Sequence, residues 1–263
     1  MNIDRSDSIT LYAYVTSPYA MKVHCYLLYK NLSFDVFYVN PLKPSKELPI
    51  GRRIPVLKIG EDARGDSSSL GIWLDEKFPD TPQLIPKDKQ ERQNVYRIDQ
   101  WITDNLIPTT FYSVYPQCNT SLWESISNTL RLGYCVNKTT TNGLPLGVQF
   151  LWPLFIRNAG FIRHMIAPVA KQGSVHHCRV NMLSYLEDKL KNQQYLAGTA
   201  MPSLADLSAW PSLVVPYKMG LKGFEDFHDY PHISRWVKDI EFLLNPSQTL
   251  APLIPEHLVV RNL

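Results

Sequence analysis

The 263-residue sequence predicts a small α/β domain followed by a larger all-α domain. Strand-like and helix-like segments alternate over residues 9–80, which is typical of an α/β domain. A proline-rich stretch comes next, and beyond it apolar residues at helical spacing replace the strand signals. We therefore predict a first domain over residues 8–80, a linker over 81–90 and a helical domain over 91–263.

The α/β part contains three predicted strands and two predicted helices. Each strand is a short run rich in β-branched or aromatic residues, whereas each helix repeats apolar residues at intervals of three and four. In chain order we predict strand 9–15, helix 19–30, strand 33–39, a Pro/Lys-rich loop over 40–51, strand 54–59, a turn over 61–65 and an amphipathic helix over 67–78.

The helical part contains four predicted helices. One carries Val95 and Leu106 on its apolar face and is expected to end before Pro108, because proline interrupts helical hydrogen bonding. The others are predicted over residues 175–192, from residue 203 onward and over residues 233–244. Glycines and prolines interrupt the apolar segment 139–173, for which we predict no single element.

The composition argues against several classes of function. The formal net charge is +3, and no Lys/Arg cluster is dense enough for a nucleic-acid partner. No run of 18 apolar residues occurs, so no membrane span is expected, and the polar first residues are unlike a secretory signal. The four cysteines lack C-x-x-C spacing. We therefore expect neither a metal cluster nor a disulfide framework, and a cytoplasmic location.

The turn Thr16-Ser17-Pro18 joins the first predicted strand to the first predicted helix. The first amides of a helix lack intrahelical partners and lie at the positive end of its dipole, so they attract an anion. Pro18 suits the first helical turn because its ring fixes φ and it has no N–H to leave unpaired. A serine before a helix is often only a cap, so both roles are open for Ser17.

Two further segments offer groups that suit a ligand. In the strand that Ile54-Pro55 opens, we predict a cis peptide bond that turns the Ile54 backbone toward an extended peptide. Asp66-Ser67 precedes a predicted helix and suits a cap. The same pair also suits a ligand ammonium group at Asp66 and a ligand carboxylate at Ser67.

Four motifs, in this order, make the sequence resemble the cytosolic glutathione S-transferase superfamily over nearly the whole chain. The first is Ser17-Pro18-Tyr19, similar to the Ser-Pro-Phe turn of its serine classes, and the second is Ile54-Pro55-Val56-Leu57, similar to Val-Pro-Val-Leu. The third is Asp66-Ser67 with Trp73-Leu74-Asp75-Glu76, similar to Glu-Ser with Tyr-Leu-Asp-Glu. The fourth is the segment 196–206, similar to the capping signature of its helical domain. Within the last motif, Ser203 and Asp206 have capping-box spacing, which predicts a folding role and no catalysis.

The resemblance implies a thioredoxin-like N-terminal domain, an enlarged all-α C-terminal domain and a homodimer. It also implies detoxification by conjugation, with glutathione as co-substrate, no metal, and Ser17 as the hydroxyl that hydrogen-bonds the glutathione thiolate. That thiolate, rather than Ser17, is then the nucleophile that attacks a small apolar electrophile. Ala20 stands where a glutathione-dependent thiol reductase would have a cysteine, which disfavours that chemistry.

The resemblance also implies two sets of binding residues. For glutathione they are Arg53, Ile54, Pro55, Asp66 and Ser67, and for the electrophile, between the domains, they are Tyr19, Trp101, Phe111, Tyr112 and Tyr115. Tyr14 and Thr16 remain rival hydroxyls for the thiolate. Ungapped alignment places the tyrosine position of other classes at Ala13, and Tyr14 then faces the other side of the sheet.

A second function stays open at this point. The chain departs from the family pattern at Asp66, where glutamate is usual, at Trp73, where tyrosine is usual, and over residues 121–173. These departures allow a transferase-like module that has lost its chemistry and binds protein partners instead.

Overall fold

The computed structural model describes residues 8–114, 122–141, 143–145, 147–244 and 250–263. Within them a four-stranded sheet occupies the N-terminal part and helices form most of the remainder. The strands are β1 Ile9–Ala13, β2 Asp35–Tyr38, β3 Val56–Ile59 and β4 Asp62–Gly65. The helices are α1 Pro18–Tyr29, α2 Pro44–Glu47, α3 Ser67–Lys77, α4 Lys89–Trp101, α5 Ile107–Val114, α6 Leu122–Thr139, α7 Trp152–Asn158, α8 Gly160–Ala170, α9 Val175–Leu190, α10 Leu204–Lys218 and α11 Pro231–Leu244.

The sheet has the strand order β2-β1-β3-β4, with β1 parallel to β2 and the other pairs antiparallel. A parallel pair needs a crossover connection, which α1 supplies between β1 and β2. Leu11 and Ala13 are fully buried on the side that α1 covers, whereas Tyr12 packs on the other side with Val39 and Val56. This mixed sheet and the helical remainder confirm the predicted fold class.

The prediction of a turn over residues 61–65 is wrong, because Asp62–Gly65 forms the edge strand β4. Asp, Ala and Gly have low β propensity, so the segment resembles a turn when read locally. Hydrogen bonding to β3 overrides that local preference. The short helix Pro44–Glu47 likewise lies inside the predicted loop over residues 40–51.

The prediction that a helix ends before Pro108 is also wrong. After α4 the chain passes through one π-helical turn, Ile102–Leu106, and continues directly into α5. Pro108 is the second residue of α5. The widened π turn changes the hydrogen-bond partners just before the proline, which lets the helix continue without the donor that Pro108 lacks.

One apolar core joins the sheet to the helical remainder, and α1 lies within it. This helix packs against β1, α3, α10 and α11, and eleven of its twelve residues are buried. The start of α1 is therefore held in place from several sides, at the boundary between the sheet and the helices.

Candidate functional site

A cleft of about 650 Å³ opens where α1, α3 and the approach to β3 meet. The π-helical turn contributes Thr103 to its wall, so the cleft also borders the helical part. Six of the residues singled out from the sequence line it together, namely Tyr19, Arg53, Ile54, Pro55, Asp66 and Ser67. Residues that are up to 48 positions apart in the chain thus share one space.

Ser17 is the N-cap of α1, as its position before Pro18 suggests. Its Oγ accepts a hydrogen bond from the Ala20 N–H at 3.4 Å, and its side chain is half-buried. Among the described residues, the Ser17 hydroxyl donates to no acceptor, so its proton is available to a ligand. Ser17 itself is not in the wall of the cleft, which includes Tyr19 two residues further on.

A small hollow of about 50 Å³ also borders the same turn. Thr16 and Pro18 line it from the sheet side, and Phe111 and Pro211 line it from the helical side. The Ser17 turn therefore borders the polar cleft and an apolar hollow through its immediate neighbours.

The two rival hydroxyls have different surroundings from Ser17. Tyr14 packs with Val39 and Leu48 on the side of the sheet opposite to Ala13. Burial, together with the negative charge of Glu47, raises the pKa of Tyr14 to about 12, so its phenol stays protonated at neutral pH. Thr16 is half-buried and faces the small hollow.

The approach to β3 forms one wall of the cleft. The Ile54–Pro55 peptide bond is cis, as predicted from the sequence. Arg52 and Arg53 precede it and both side chains are exposed. These two guanidinium groups place positive charge on this wall, where a ligand carboxylate can meet it.

The start of α3 forms the opposite wall. Asp66 caps this helix by accepting hydrogen bonds from the Ser68 N–H at 3.3 Å and the Ser69 hydroxyl at 3.1 Å. Its φ is +69°, a conformation in which a non-glycine residue is strained by on the order of 1 kcal/mol or more. Asp66 remains exposed while Ser67 is buried. This wall thus combines a carboxylate with the first amides of α3, which have no acceptor within the helix.

A buried polar network lies beneath this wall, and the sequence reasoning missed it. The Lys22 ammonium contacts Asp99 at 2.8 Å and Ser68 at 2.9 Å, and the Ser68 hydroxyl donates to Asp99 at 2.7 Å. Ser208 from α10 also donates to Asp99. Burial lowers the pKa of Lys22 and the Asp99 carboxylate opposes that change. The network ties the first turn of α3 to α1, α4 and α10. The available signal was a lysine inside the otherwise apolar α1, since a buried charge requires a partner.

The five aromatic residues expected at a second-substrate pocket lie in different places. Tyr19 lines the cleft, and its hydroxyl is 3.8 Å from the Met165 sulfur. Phe111 lines the small hollow instead. Trp101 stacks on Tyr185 with ring centroids 4.1 Å apart.

Tyr112 is buried among the helices, where its hydroxyl donates to the Gly173 carbonyl at 3.3 Å. Tyr115 lies outside the described residues. The assignment of these residues to a second-substrate pocket stays a prediction.

The described residues also bear on metal binding and on membrane crossing. Within the part of the chain that the structure describes, no three His, Cys, Asp or Glu side chains come together as a metal site. In the same part, no helix combines the length and apolar character that crossing a membrane requires.

Comparison with protein families finds two matches. Residues 11–82 match the model described as the N-terminal domain of glutathione S-transferase. Residues 171–244 match a model described as the nuclear-export cofactor Arc1p. Relatives include glutathione S-transferase 1 of Dianthus caryophyllus, 33% identical over 41% of this chain and 51% of that protein. Human glutathione S-transferase theta-2B is 27% identical over 73% of this chain and 61% of that protein. The chain thus spans about half to three fifths of the length of these relatives.

Solved structures of similar fold cover most of the chain. Human glutathione transferase theta-2, in complex with glutathione and an unknown ligand, aligns with a TM-score of 0.61 at 20% identity over 90% of this chain and 83% of that chain. The beta-etherase LigF from Sphingobium sp. strain SYK-6 aligns with a TM-score of 0.58 at 20% identity, over 89% of this chain and 95% of that chain. At these identities the structural likeness establishes the fold.

Proposed function

The chain is a member of the cytosolic glutathione S-transferase superfamily, and we propose that it binds glutathione in the cleft beside the start of α1 and ionises its thiol there. The thiolate then attacks a small apolar electrophile. The observation that carries the proposal is the cleft itself, because it unites the start of α1, the Ile54–Pro55 segment and the start of α3 around one space. We also propose that the protein works as a cytoplasmic homodimer, as the resemblance implies.

The charges around the cleft suit the two ends of glutathione. Its γ-glutamyl end carries an ammonium group and a carboxylate, which fit the Asp66 carboxylate and the free amides at Ser67. Its glycine end carries a second carboxylate, which fits the guanidinium groups of Arg52 or Arg53. Between the ends, the Ile54 backbone can pair with the extended peptide.

The start of α1 can supply enough stabilisation to ionise the thiol. A free thiol has a pKa of about 8.5, and lowering it by about two units requires roughly 2.7 kcal/mol. A hydrogen bond from the Ser17 hydroxyl to a charged sulfur contributes about 1.5–3 kcal/mol, and the helix terminus adds about 0.3–2 kcal/mol. The sum is sufficient without a metal or a second base.

The electrophile is proposed to bind beside Tyr19 and toward the hollow that Phe111 and Pro18 line. Burial and the charge of Asp104 raise the pKa of Tyr19, so its phenol is neutral near pH 7. Val114 and Val215 also line the hollow. Apolar walls such as these favour the binding of an apolar electrophile beside the thiolate.

Ser17→Ala tests the proposal most directly. We expect titration of the thiolate ultraviolet absorbance of bound glutathione to give a thiol pKa about two units below 8.5 in the unchanged protein. The variant should raise that pKa by about one to two units and lower kcat/KM with an aryl chloride by about 10- to 100-fold. S-methylglutathione has no ionisable thiol, so calorimetry should find its Kd within about twofold in both proteins.

Ser174→Ala is the matched control, because Ser174 also caps a helix, accepting from the His177 N–H at 3.2 Å, but no residue near it in the chain lines the cleft, whereas Tyr19, two residues after Ser17, does. It should leave the thiol pKa unchanged. A protein that does not bind glutathione would contradict the proposal altogether. Binding with a thiol pKa that remains near 8.5, and that Ser17→Ala does not alter, would indicate a binding module without chemistry.

A further inference from the structure

Five apolar side chains are exposed on α7, α8 and the turn before them. We define the α7–α8 patch as Phe150, Leu151, Leu154, Phe155 and Phe161, whose exposed fractions range from 44% to 69%. Four of these residues line a shallow hollow of about 530 Å³, in which Asn158 is the polar member. Exposed apolar side chains that form one contiguous surface mark an interaction site, whereas single exposed residues do not.

The patch rests on a packed base. Trp152 is buried beneath it and stacks on Phe155 with ring centroids 5.0 Å apart. A Cβ atom at Gly133 of α6 would lie 2.7 Å from the Trp152 Cβ, so α6 and α7 approach each other more closely than any larger residue allows. The exposed aromatic rings of the patch therefore project from a closely packed base.

The chain around the patch contains no carboxylate. Residues 125–186 include no Asp or Glu, although the whole chain has 24 of them in 263 residues. At that average frequency, a stretch of this length would carry about six. The same stretch contains six Lys or Arg residues. Its charge is therefore strongly positive within a protein whose net charge is only +3.

Basic side chains lie on the outer face of α8, the helix that also contributes Phe161 to the patch. Arg163, His164 and Lys171 are exposed there, whereas Ile162 and Ile166 face the interior. The exposed surface of this region thus combines aromatic and leucine side chains with basic ones, which is the composition of segments that lie in a membrane interface.

We propose that the α7–α8 patch attaches the protein to the surface of bilayers rich in anionic lipids. The phenylalanine and leucine side chains enter the boundary between headgroups and acyl chains, while Arg163 and Lys171 contact the anionic headgroups. The attachment is peripheral, and it does not depend on the glutathione chemistry proposed above.

The charge pattern favours a lipid surface over the two other occupants of such a patch. A second copy placed symmetrically on the patch would bring basic faces together, because residues 125–186 offer no carboxylate to meet them. Nucleic acid would need a denser array of cations, and phenylalanine and leucine cannot hydrogen-bond to phosphates.

Vesicle flotation tests the proposal. We expect the full-length chain to float with vesicles of phosphatidylcholine containing one third phosphatidylserine, and to remain unbound with phosphatidylcholine alone. F155S/F161S should lower the partition coefficient by at least about tenfold, since two apolar side chains no longer insert. R163E/K171E should lower it by a similar factor, and added salt should mimic this second effect.

The matched control is K238E/F242S on α11, which changes an exposed lysine and a phenylalanine that is 82% exposed, outside the patch. It should bind vesicles like the unchanged protein. Equal partition of the control and F155S/F161S would overturn the proposal, as would the absence of flotation with anionic vesicles. An oligomer that F155S/F161S dissociates, without any flotation, would assign the patch to contact between copies and would also overturn it.

Discussion

Two of the helices that begin with a serine cap, α1 and α10, have their serines in different surroundings. Ser17 precedes α1 and is half-buried, and its hydroxyl donates to no acceptor among the described residues. Ser203 precedes α10 and is 2% exposed, and its hydroxyl donates to Asp206 at 2.9 Å. Asp206 also accepts from the Leu196 N–H, the Ser203 N–H and the Trp236 indole. Both serines cap a helix. They differ because the Ser203 hydroxyl has an acceptor, whereas the Ser17 hydroxyl has none among the described residues.

The comparison shows what makes a helix start available to a ligand. At α10 the buried Asp206 carboxylate accepts from both the hydroxyl and the N–H of Ser203. These groups therefore stabilise the fold and are not available to a ligand. At α1 the hydroxyl proton remains free beside a cleft. Three experiments test how these helix starts and the interior of α1 are stabilised.

Asp206→Ala should destabilise the start of α10. It would leave two buried amides and the Trp236 indole without an acceptor, so we expect the free energy of unfolding to fall by about 3–5 kcal/mol. Urea denaturation measures the loss, and Asp188→Ala at an exposed position of α9 should change it by less than about 0.5 kcal/mol. A loss below about 1 kcal/mol would mean that Asp206 does not organise the start of α10.

Acidification should destabilise the folded protein because it protonates His24, which is buried on α1. Burial lowers the pKa of His24 to about 4 from the ordinary value of 6.5. Its Nε2 hydrogen-bonds to the Ala251 carbonyl, and its Nδ1 is buried with no hydrogen-bond partner in the part of the chain that the structure describes. Because the unfolded chain binds the proton more readily, stability is complete above pH 6.5 and falls by roughly 3 kcal/mol as the pH approaches 4.

The measurement is urea denaturation across that pH range, with His24→Gln as the comparison because carboxylates contribute to the slope as well. The variant should show a shallower pH dependence and retain a donor for the Ala251 carbonyl. Equal slopes in both proteins would show that His24 does not govern the acid sensitivity of α1.

Removing each serine hydroxyl should give the smallest effects and separate the two helix starts. Ser203→Ala should lower the unfolding free energy by about 1 kcal/mol and leave glutathione binding unchanged. Ser17→Ala should cost only about 0.5 kcal/mol, because its capping bond is long and half-exposed. Its main effect should appear in the glutathione thiol pKa. Equal losses of unfolding free energy in Ser17→Ala and Ser203→Ala would contradict the proposed difference between the two helix starts.

Much of the cleft could be predicted because its motifs are local. The Ser17 turn, the cis bond before Pro55 and the Asp66 cap are each determined by residues within four positions of one another. The network beneath the cleft could not be found in this way, because Lys22 and Asp99 are 77 residues apart. The lysine inside an apolar helix signals a buried partner without identifying it.

The sequence by itself determined β1, α1, β2, β3 and α3 in their order, the change from an α/β part to helices and the caps Ser17 and Ser203, because backbone hydrogen bonding, helical periodicity and capping act over a few residues. Only the tertiary structure decided that residues 62–65 pair with β3 as a strand, that Lys22 meets Asp99 beneath the cleft, and that the Ser17 hydroxyl has no acceptor among the described residues. Each of these outcomes depends on groups supplied by other elements, whose proximity arises only when the chain is packed.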